Sequence, residues 1–151
     1  MTRRFLFISL SFLSLFGFGQ DSRDHEAVEK VVAAFQKDYN DGFQSEARYT
    51  TADWEHINPE GGISKGRENV LLDVRNVHQT FLKGVTMQIE DMVINFPVAD
   101  VAVANVVHRV GNYTTPDGLK HENERQFKTY VVVYKRGKWL LFQDHATYIQ
   151  N

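Results

Sequence analysis

The last quarter of the chain constrains the fold more than any other segment. Its aromatic and β-branched residues predict two long strands, over residues 124–134 and 139–149, joined by a tight turn. Two further strands are predicted just upstream, over residues 85–96 and 101–113, and the alternation of the first slips at residues 90–91, which indicates a β-bulge. Four long strands in succession predict an antiparallel sheet that the bulge bends.

Helical patterns come before these strands. Apolar residues recur at helical spacing over residues 24–40 and 67–82, and a short helix is predicted between them at residues 43–49. One more strand is predicted over residues 50–58. Helices that precede a run of antiparallel strands are typical of an α+β domain. We therefore expect a cone-shaped curved antiparallel sheet, covered on one face by three helices, with a cavity at its open mouth.

The first 19 residues have the pattern of a secretory signal peptide. Arg3 and Arg4 precede an apolar run over residues 5–16, and the small residues that follow favour cleavage before Gln20. The run is shorter than the roughly 20 residues that span a membrane. Residues 20–151 are therefore expected to form one soluble domain, periplasmic or secreted, without membrane contact once the signal is removed.

Composition argues against several kinds of site. The chain has no cysteine, so thiol nucleophiles, thiolate metal sites and disulfides are excluded. With 17 basic and 19 acidic residues, its net charge of −2 argues against a nucleic-acid partner. The sequence contains no glycine-rich phosphate loop and no dinucleotide motif, so no cofactor is expected. A zinc site made of His78, His108 and His145 has no support from spacing, and no metal is expected.

Some polar residues stand where the pattern calls for apolar ones. His78 lies on the apolar stripe of the third predicted helix, and His108 falls on an otherwise apolar strand face. Arg125 shares a strand face with Phe127 and Val131, which would bring it to the mouth of the cavity. Two of them have a structural interpretation as well. His78 could be a half-buried histidine satisfied by the backbone, and Arg125 could form an ion pair with Asp53 or a glutamate.

The last strand supplies further candidates. If its alternation is regular, Trp139 and Leu141 share a face with Gln143, His145 and Thr147. The polar side chains would then lie on the same strand face as the buried residues at the start of the strand. This pattern predicts a cavity lined by a few polar groups, although His145 could instead make a structural hydrogen bond at a dimer interface.

Several short motifs occur in order along residues 24–149. They are Thr51-Ala52-Asp53-Trp54, Gly66-Arg67, His78-Gln79-Thr80-Phe81, and Arg136-Gly137-Lys138-Trp139 through His145-Ala146-Thr147. Their order and spacing resemble the SnoaL-like branch of the nuclear transport factor 2-like superfamily, and within it the SgcJ/EcaC group. The resemblance implies the cone fold. It also implies a range of functions, from isomerases, cyclases and dehydratases to binding or assembly domains without catalysis.

The sequence departs from the family pattern at one position. Members often have a second aspartate at the position that Thr51 occupies here, which weakens the case for a pair of carboxylates. Asp53 matches the remaining aspartate and is the candidate general base. Its neighbour Trp54 must face the other way on the strand, towards the core or as a wall for a ligand.

These residues are expected to converge around one cavity between the third helix and the sheet, because burying an unpaired polar group costs roughly 1–3 kcal/mol. The candidate catalytic residues are Asp53, His78, Arg125 and His145. The candidate ligand-binding residues are Trp54, His108, Gln143 and Thr147. Other polar positions are expected at the surface: His25, His56, Arg109, His121, and the strand face that carries Glu124, Gln126 and Lys128.

Three functions fit this pattern. The first is an exported domain that binds an apolar or aromatic small molecule without catalysis. The second is a cofactor-free enzyme that isomerises, cyclises or dehydrates its substrate by proton transfer, with Arg125 as electrostatic partner. The third is an assembly module. A titratable pair within hydrogen-bonding reach in the cavity would favour the enzyme, and apolar residues on both sheet faces predict a homodimer through the sheet.

Overall fold

The computed structural model describes residues 17–150, with side chains from residue 23 onwards. Most of the expected signal peptide lies outside these residues. The first helix, Gly17–Asn40, begins earlier than the predicted start at residue 24. Within the described part of the chain, no helix combines the length and apolar character needed to cross a membrane.

The described chain contains two helices and eight strands. In order, they are α1 (Gly17–Asn40), β1 (Thr50–Ile57), β2 (Ile63–Lys65), α2 (Arg67–Gln79), β3 (Met87–Val98), β4 (Val101–Val110), β5 (Tyr113–Thr114), β6 (Lys120–His121), β7 (Arg125–Lys135) and β8 (Lys138–Tyr148). The α+β class and the curved sheet covered on one side by helices are confirmed. The long strands match the predicted ones within a few residues.

The short helix predicted at residues 43–49 is wrong, and this segment is a series of turns. Phe43 and Ala47 have φ angles of 54° and 46°, which interrupt a right-handed helix. The Ser45 hydroxyl donates to Asp38 at 2.5 Å and accepts from the Ala47 N–H at 2.9 Å. Such local side-chain bonds compete with helical ones, so two helices rather than three cover the sheet in the described chain.

The main sheet has six strands in the order β2-β1-β8-β7-β4-β3. It is not wholly antiparallel, because β1 runs parallel to β8. The predicted bulge in β3 is confirmed by a register shift between Ile89 and Asp91. Strands β5 and β6 form a separate small hairpin that brings Tyr113 opposite His121.

A second bulge, in β8, was not predicted. Val131 pairs with Gln143 while the next residue, Val132, pairs with Leu141, so Phe142 is the extra residue. A slip of one residue moves all later side chains to the other face. Asp144 therefore joins Leu141 on the buried side of the strand.

The core lies between the inner face of the sheet and the two helices. The apolar residues of α1 that face the sheet, Val28, Val32 and Phe35, recur at helical spacing. Phe35 packs edge-on against Trp54 and Tyr130, with ring centroids 6.3 and 5.3 Å away. The aromatic centre holds α1 against β1 and β7, and leaves a pocket towards α2.

Candidate functional site

A pocket of about 140 Å³ opens between α2 and the inner face of the sheet. One wall is apolar and aromatic: Phe35, Phe43, Val74, Val77, Phe81 and Leu82. The opposite wall is polar and includes His56, Tyr113, Gln126 and Lys128. A cavity of about 150 Å³ suffices to take up benzene, so the pocket has room for a ring-sized group.

The buried side chain of Asp144 contacts two residues of the polar wall, His56 and Lys128. Strand β8 lies between β1 and β7, so its inward side chain can bond to residues of both neighbours. The Asp144 carboxylate is fully buried and accepts from Trp54 Nε1 at 2.8 Å, from His56 Nδ1 at 2.8 Å and from Lys128 Nζ at 2.9 Å. Burial alone would raise the pKa of Asp144, but His56 and Lys128 together hold it below its usual range. The group is therefore an ionised carboxylate.

His56 is the side chain that connects this carboxylate with the pocket. An ionised carboxylate only accepts hydrogen bonds, so His56 Nδ1 carries the proton of their contact. In the neutral form of this ring, the other nitrogen, Nε2, is an acceptor without a proton, and the side chain lines the pocket and is 15% exposed. A carboxylate that fixes the tautomer of a histidine and leaves the far nitrogen free is the arrangement of a general base.

Lys128 is the positive charge of the site. Only 3% of the residue is exposed, and Nζ lies 4.0 Å from the centroid of the Phe35 ring. Burial lowers the pKa of Lys128, and the contact with Asp144 opposes this shift. The ammonium is thus held between a carboxylate and an aromatic face, two contacts that favour the charged form against the effect of burial.

His78 packs in the aromatic wall. Its ring meets Tyr39 and Phe43 edge-on, with centroids 4.5 and 5.3 Å away, and the residue is 7% exposed. Burial, aided by the charge of Lys128, lowers the pKa of His78 to about 4. His78 is therefore neutral near pH 7 and contributes packing as well as a polar edge to the pocket.

A second polar cluster adjoins the pocket around Glu124. This carboxylate accepts from the Tyr113 hydroxyl at 3.1 Å and from Gln126 Nε2 at 2.6 Å, and it contacts His121 Nδ1. The His121 ring stacks on Tyr113 with centroids 4.3 Å apart. Because Tyr113 and Gln126 line the pocket, the cluster supports its wall.

Several residues expected at the surface are buried or half-buried. Gln126 and Lys128 are buried on the inner face of β7, while His56 and His121 are 15% and 12% exposed in their side chains. The prediction failed because it treated polar side chains as solvated. Each of these four side chains instead contacts the carboxylate of Asp144 or Glu124. His25 and Arg109 are exposed, as predicted.

Among the candidate residues, Trp54, His78 and His108 lie on the core side. Trp54 faces away from Asp53, as predicted, and is fully buried. His108 is also fully buried, and its Nε2 lies 2.8 Å from the Tyr130 hydroxyl. Burial, with a further contribution from Lys128, lowers the pKa of His108 to about 3. Of the three, only His78 lines the pocket.

The remaining candidates do not reach the pocket, so the predicted convergence is wrong. Asp53 is exposed, and Arg125 bonds Glu90 at 2.7 Å, which is the ion pair to a glutamate considered as its alternative. The bulge at Phe142 turns the others to the outer face of the sheet. They are Gln143, His145 and Thr147.

His56, Lys128 and Asp144 were missed by the sequence reasoning. One signal was available for His56, which stands two residues after Trp54 and so shares its face. For Asp144 the signal appears only if a bulge is placed at Phe142, because the side chain then aligns with Leu141.

The fold is shared with solved structures of low sequence identity. An uncharacterised protein with a cystatin-like fold from Caulobacter vibrioides superposes with a TM-score of 0.78 at 19% identity, over 85% of this chain and 91% of that one. A proposed scytalone dehydratase from Novosphingobium aromaticivorans gives 0.69 at 15% identity, over 88% and 89%. A proposed dehydratase of the nuclear transport factor 2-like family from Streptomyces avermitilis gives 0.69 at 16%, over 87% and 99%.

These likenesses place the chain in the cystatin-like, nuclear transport factor 2-like fold class. No family model matches the sequence, and no curated protein does. At such identities the comparison shows the fold alone, and function must be argued from the site.

Proposed function

We propose that the protein is a cofactor-free enzyme that moves a proton on a small, largely apolar substrate, in an isomerisation, cyclisation or dehydration. One observation carries the proposal: the 2.8 Å contact between His56 Nδ1 and Asp144 Oδ2 in the wall of the pocket. A base oriented by a buried carboxylate, beside a cavity with an apolar wall, is the minimal equipment for such chemistry.

The division of labour follows from the geometry. The apolar wall binds the body of the substrate, and His56 Nε2 accepts a proton from it. Asp144 keeps the imidazole in the required tautomer and stabilises the imidazolium that forms. The names of the two proposed dehydratases with this fold are compatible with that reaction class.

Deuterium exchange tests the proposal without a known substrate. A panel of small cyclic ketones and β-hydroxy ketones is incubated in D₂O with the protein, and exchange next to the carbonyl is followed by NMR. We expect catalysed exchange that falls by about 10²–10⁴-fold in His56→Gln, since this is the usual contribution of a general base. His25→Gln, at an exposed position on α1, is the matched control. Exchange that is equal in wild type and His56→Gln would refute the role of His56.

Binding without catalysis is the second candidate. It is favoured by the apolar wall, where Phe35, Phe43 and Phe81 surround a space suited to an aromatic ring. Native mass spectrometry of the purified protein tests it. A retained apolar molecule that emerges chemically unchanged after prolonged incubation would support binding alone.

We also propose that the chain belongs to the SnoaL-like branch of its fold class, in the SgcJ/EcaC group, and is exported. The support is the order of motifs from residues 51–54 to 136–147, and the basic and apolar pattern of residues 1–19. N-terminal sequencing of the exported protein should start at or near Gln20. Recovery of Met1 in a membrane fraction would contradict export.

A two-fold dimer through the outer face of the sheet is proposed as the assembled form. Val93 and Phe127 on that face are 53% and 38% exposed, next to partly buried Val107 and Val131. Exposed apolar side chains on a sheet face favour cover by another subunit. Light scattering at micromolar concentration should give twice the monomer mass, and a monomer mass would exclude the dimer.

A further inference from the structure

Lys128 has donor capacity that the protein itself does not use. An ammonium group carries three N–H donors. Among the described residues, Asp144 is its one hydrogen-bond acceptor, while the Phe35 ring covers another side at 4.0 Å. Lys128 is also the only lysine or arginine among the described residues that line the pocket. A buried cation with a spare donor at the edge of a cavity is suited to an oxygen atom of a ligand.

We propose that Lys128 binds the carbonyl oxygen of an uncharged ketone or enone and stabilises the negative charge that develops there when His56 removes the neighbouring proton. This inference rests on the proposed function and names its substrate class. His56 Nδ1 and Lys128 Nζ bond the same Asp144 oxygen, at 2.8 and 2.9 Å. The two nitrogens are therefore within about 6 Å of each other, given ordinary hydrogen-bond geometry, so one small carbonyl compound can reach both side chains.

The charges of the site balance in this reaction. In the form that can accept a proton, His56 is neutral, and the charges of the Asp144 carboxylate and the Lys128 ammonium cancel. Proton transfer breaks the C–H bond next to the carbonyl, its electron pair forms the C=C bond, and the carbonyl π pair moves to oxygen. His56 Nε2 gains the proton, so the cluster becomes singly positive beside a singly negative enolate. The attraction is thus greatest after transfer, which is the condition for catalysis.

The rim of the pocket argues against a substrate that is already anionic. Glu60 and Asp73 line the entrance and both are exposed. Their partners, the Tyr148 hydroxyl on Glu60 and the Ser64 hydroxyl on Asp73, are neutral donors and leave both negative charges in place. A carboxylate or phosphate would meet two like charges on entry. An uncharged carbonyl compound meets no such barrier.

Ionisation of bound 4-nitrophenol tests the role of Lys128 directly. Its oxygen mimics the enolate oxygen, and its anion is coloured whereas the neutral phenol is not. We expect binding to the wild-type protein to favour the anion by about tenfold over free solution at the same pH, the effect expected of one nearby cation partly offset by a carboxylate. Lys128→Met should abolish this preference.

Two further variants separate the possible failures. Lys135→Met makes the same substitution at an exposed site on the same strand, and it should keep the preference for the anion. Lys128→Met combined with Asp144→Leu removes both buried charges, so it tests whether the preference for the anion is also lost in a protein without an unpaired buried charge.

The outcomes discriminate between this inference and the proposed function. A probe that binds only in its neutral form, or does not bind, overturns the role of Lys128. A preference for the anion that persists in Lys128→Met also overturns this role. If ketone exchange by His56 is seen but the anion preference is not, the enzyme proposal stands and the Lys128 proposal falls. If anion preference depends on Lys128 but no exchange occurs, the site binds oxyanions without catalysis.

Discussion

Two regions on the inner face of the sheet bury polar groups in different ways. At the centre, on β4 and β7, His108 bonds the Tyr130 hydroxyl, and both residues are fully buried outside the pocket lining. Towards α2, Asp144 bonds His56 and Lys128, and these two partners line the pocket. We call the first region sealed, because its two residues do not line the pocket. In the second, open region, a ring nitrogen of His56 and an N–H donor of Lys128 remain available to a ligand.

Under the proposed function, this difference is what separates a structural histidine from a catalytic one. Both His108 and His56 lie on the inner face of the sheet, and both have a hydrogen-bond partner. Burial lowers the pKa of His108, so its ring is neutral near pH 7, and the residue is fully buried. His56 has a carboxylate behind it and a cavity in front. Open volume and the charge of the partner decide the role, and neither can be seen in the sequence.

The largest effect is expected from removing the carboxylate of the pocket region. Asp144→Ala leaves the buried Lys128 ammonium without its counter-charge, which costs about 3–5 kcal/mol of unfolding free energy. Urea denaturation measures this loss. The double variant Asp144→Leu with Lys128→Met should regain most of the stability, because neither charge is then buried alone. A single variant that loses less than about 1 kcal/mol would mean that Lys128 is solvated.

Acid should destabilise the fold through both regions. Burial lowers the pKa of His78 to about 4 and that of His108 to about 3, against about 6.5 in the unfolded chain. Between these values the unfolded chain binds more protons, so stability falls as the pH drops below about 6.5, by up to about 1.4 kcal/mol per pH unit for each histidine.

Urea denaturation across this pH range checks the prediction. His108→Gln should remove the part of the pH slope that comes from His108. Above about pH 7.5, neither histidine should make the stability change with pH. A flat profile between pH 6.5 and 4 would show that the two rings are protonated in the folded protein.

Tyr130→Phe and His56→Gln separate the regions by function. Tyr130→Phe leaves His108 Nε2 without its 2.8 Å partner, so we expect a loss of about 1–3 kcal/mol in unfolding free energy with unchanged deuterium exchange of ketones. His56→Gln should abolish the exchange at a smaller cost in stability, because it is partly exposed. If Tyr130→Phe remains folded but loses the exchange, the separation of a structural region from a catalytic region is contradicted.

The smallest effects are expected on the outer face. His145 is exposed, and the Arg125 pair with Glu90 is partly exposed on both sides. We expect His145→Ala and Arg125→Ala to change stability by at most about 1 kcal/mol and to leave 4-nitrophenol binding intact. Calorimetry measures both quantities, and a loss of probe binding would show that these residues belong to the site.

Much of the fold could be predicted from periodicity, because long alternating strands and the stripe of α2 repeat regularly. The bulge in β3 could also be predicted, since polar Glu90 and Asp91 break the alternation visibly. The bulge at Phe142 could not, since Leu140, Leu141 and Phe142 are all apolar and conceal the slip. Because this one extra residue was not foreseen, the prediction put His145 in the site and left out Asp144.

Ligand binding observed by nitrogen-15 NMR of the histidine rings tests the comparison most directly. On addition of 4-nitrophenol to the wild-type protein, we predict that the ring nitrogens of His56 shift, while those of His108 remain unchanged and neutral down to about pH 4, because its pKa is about 3. A shift at His108 equal to that at His56, or no shift at His56 when the probe is bound, would contradict the account of one open and one sealed region.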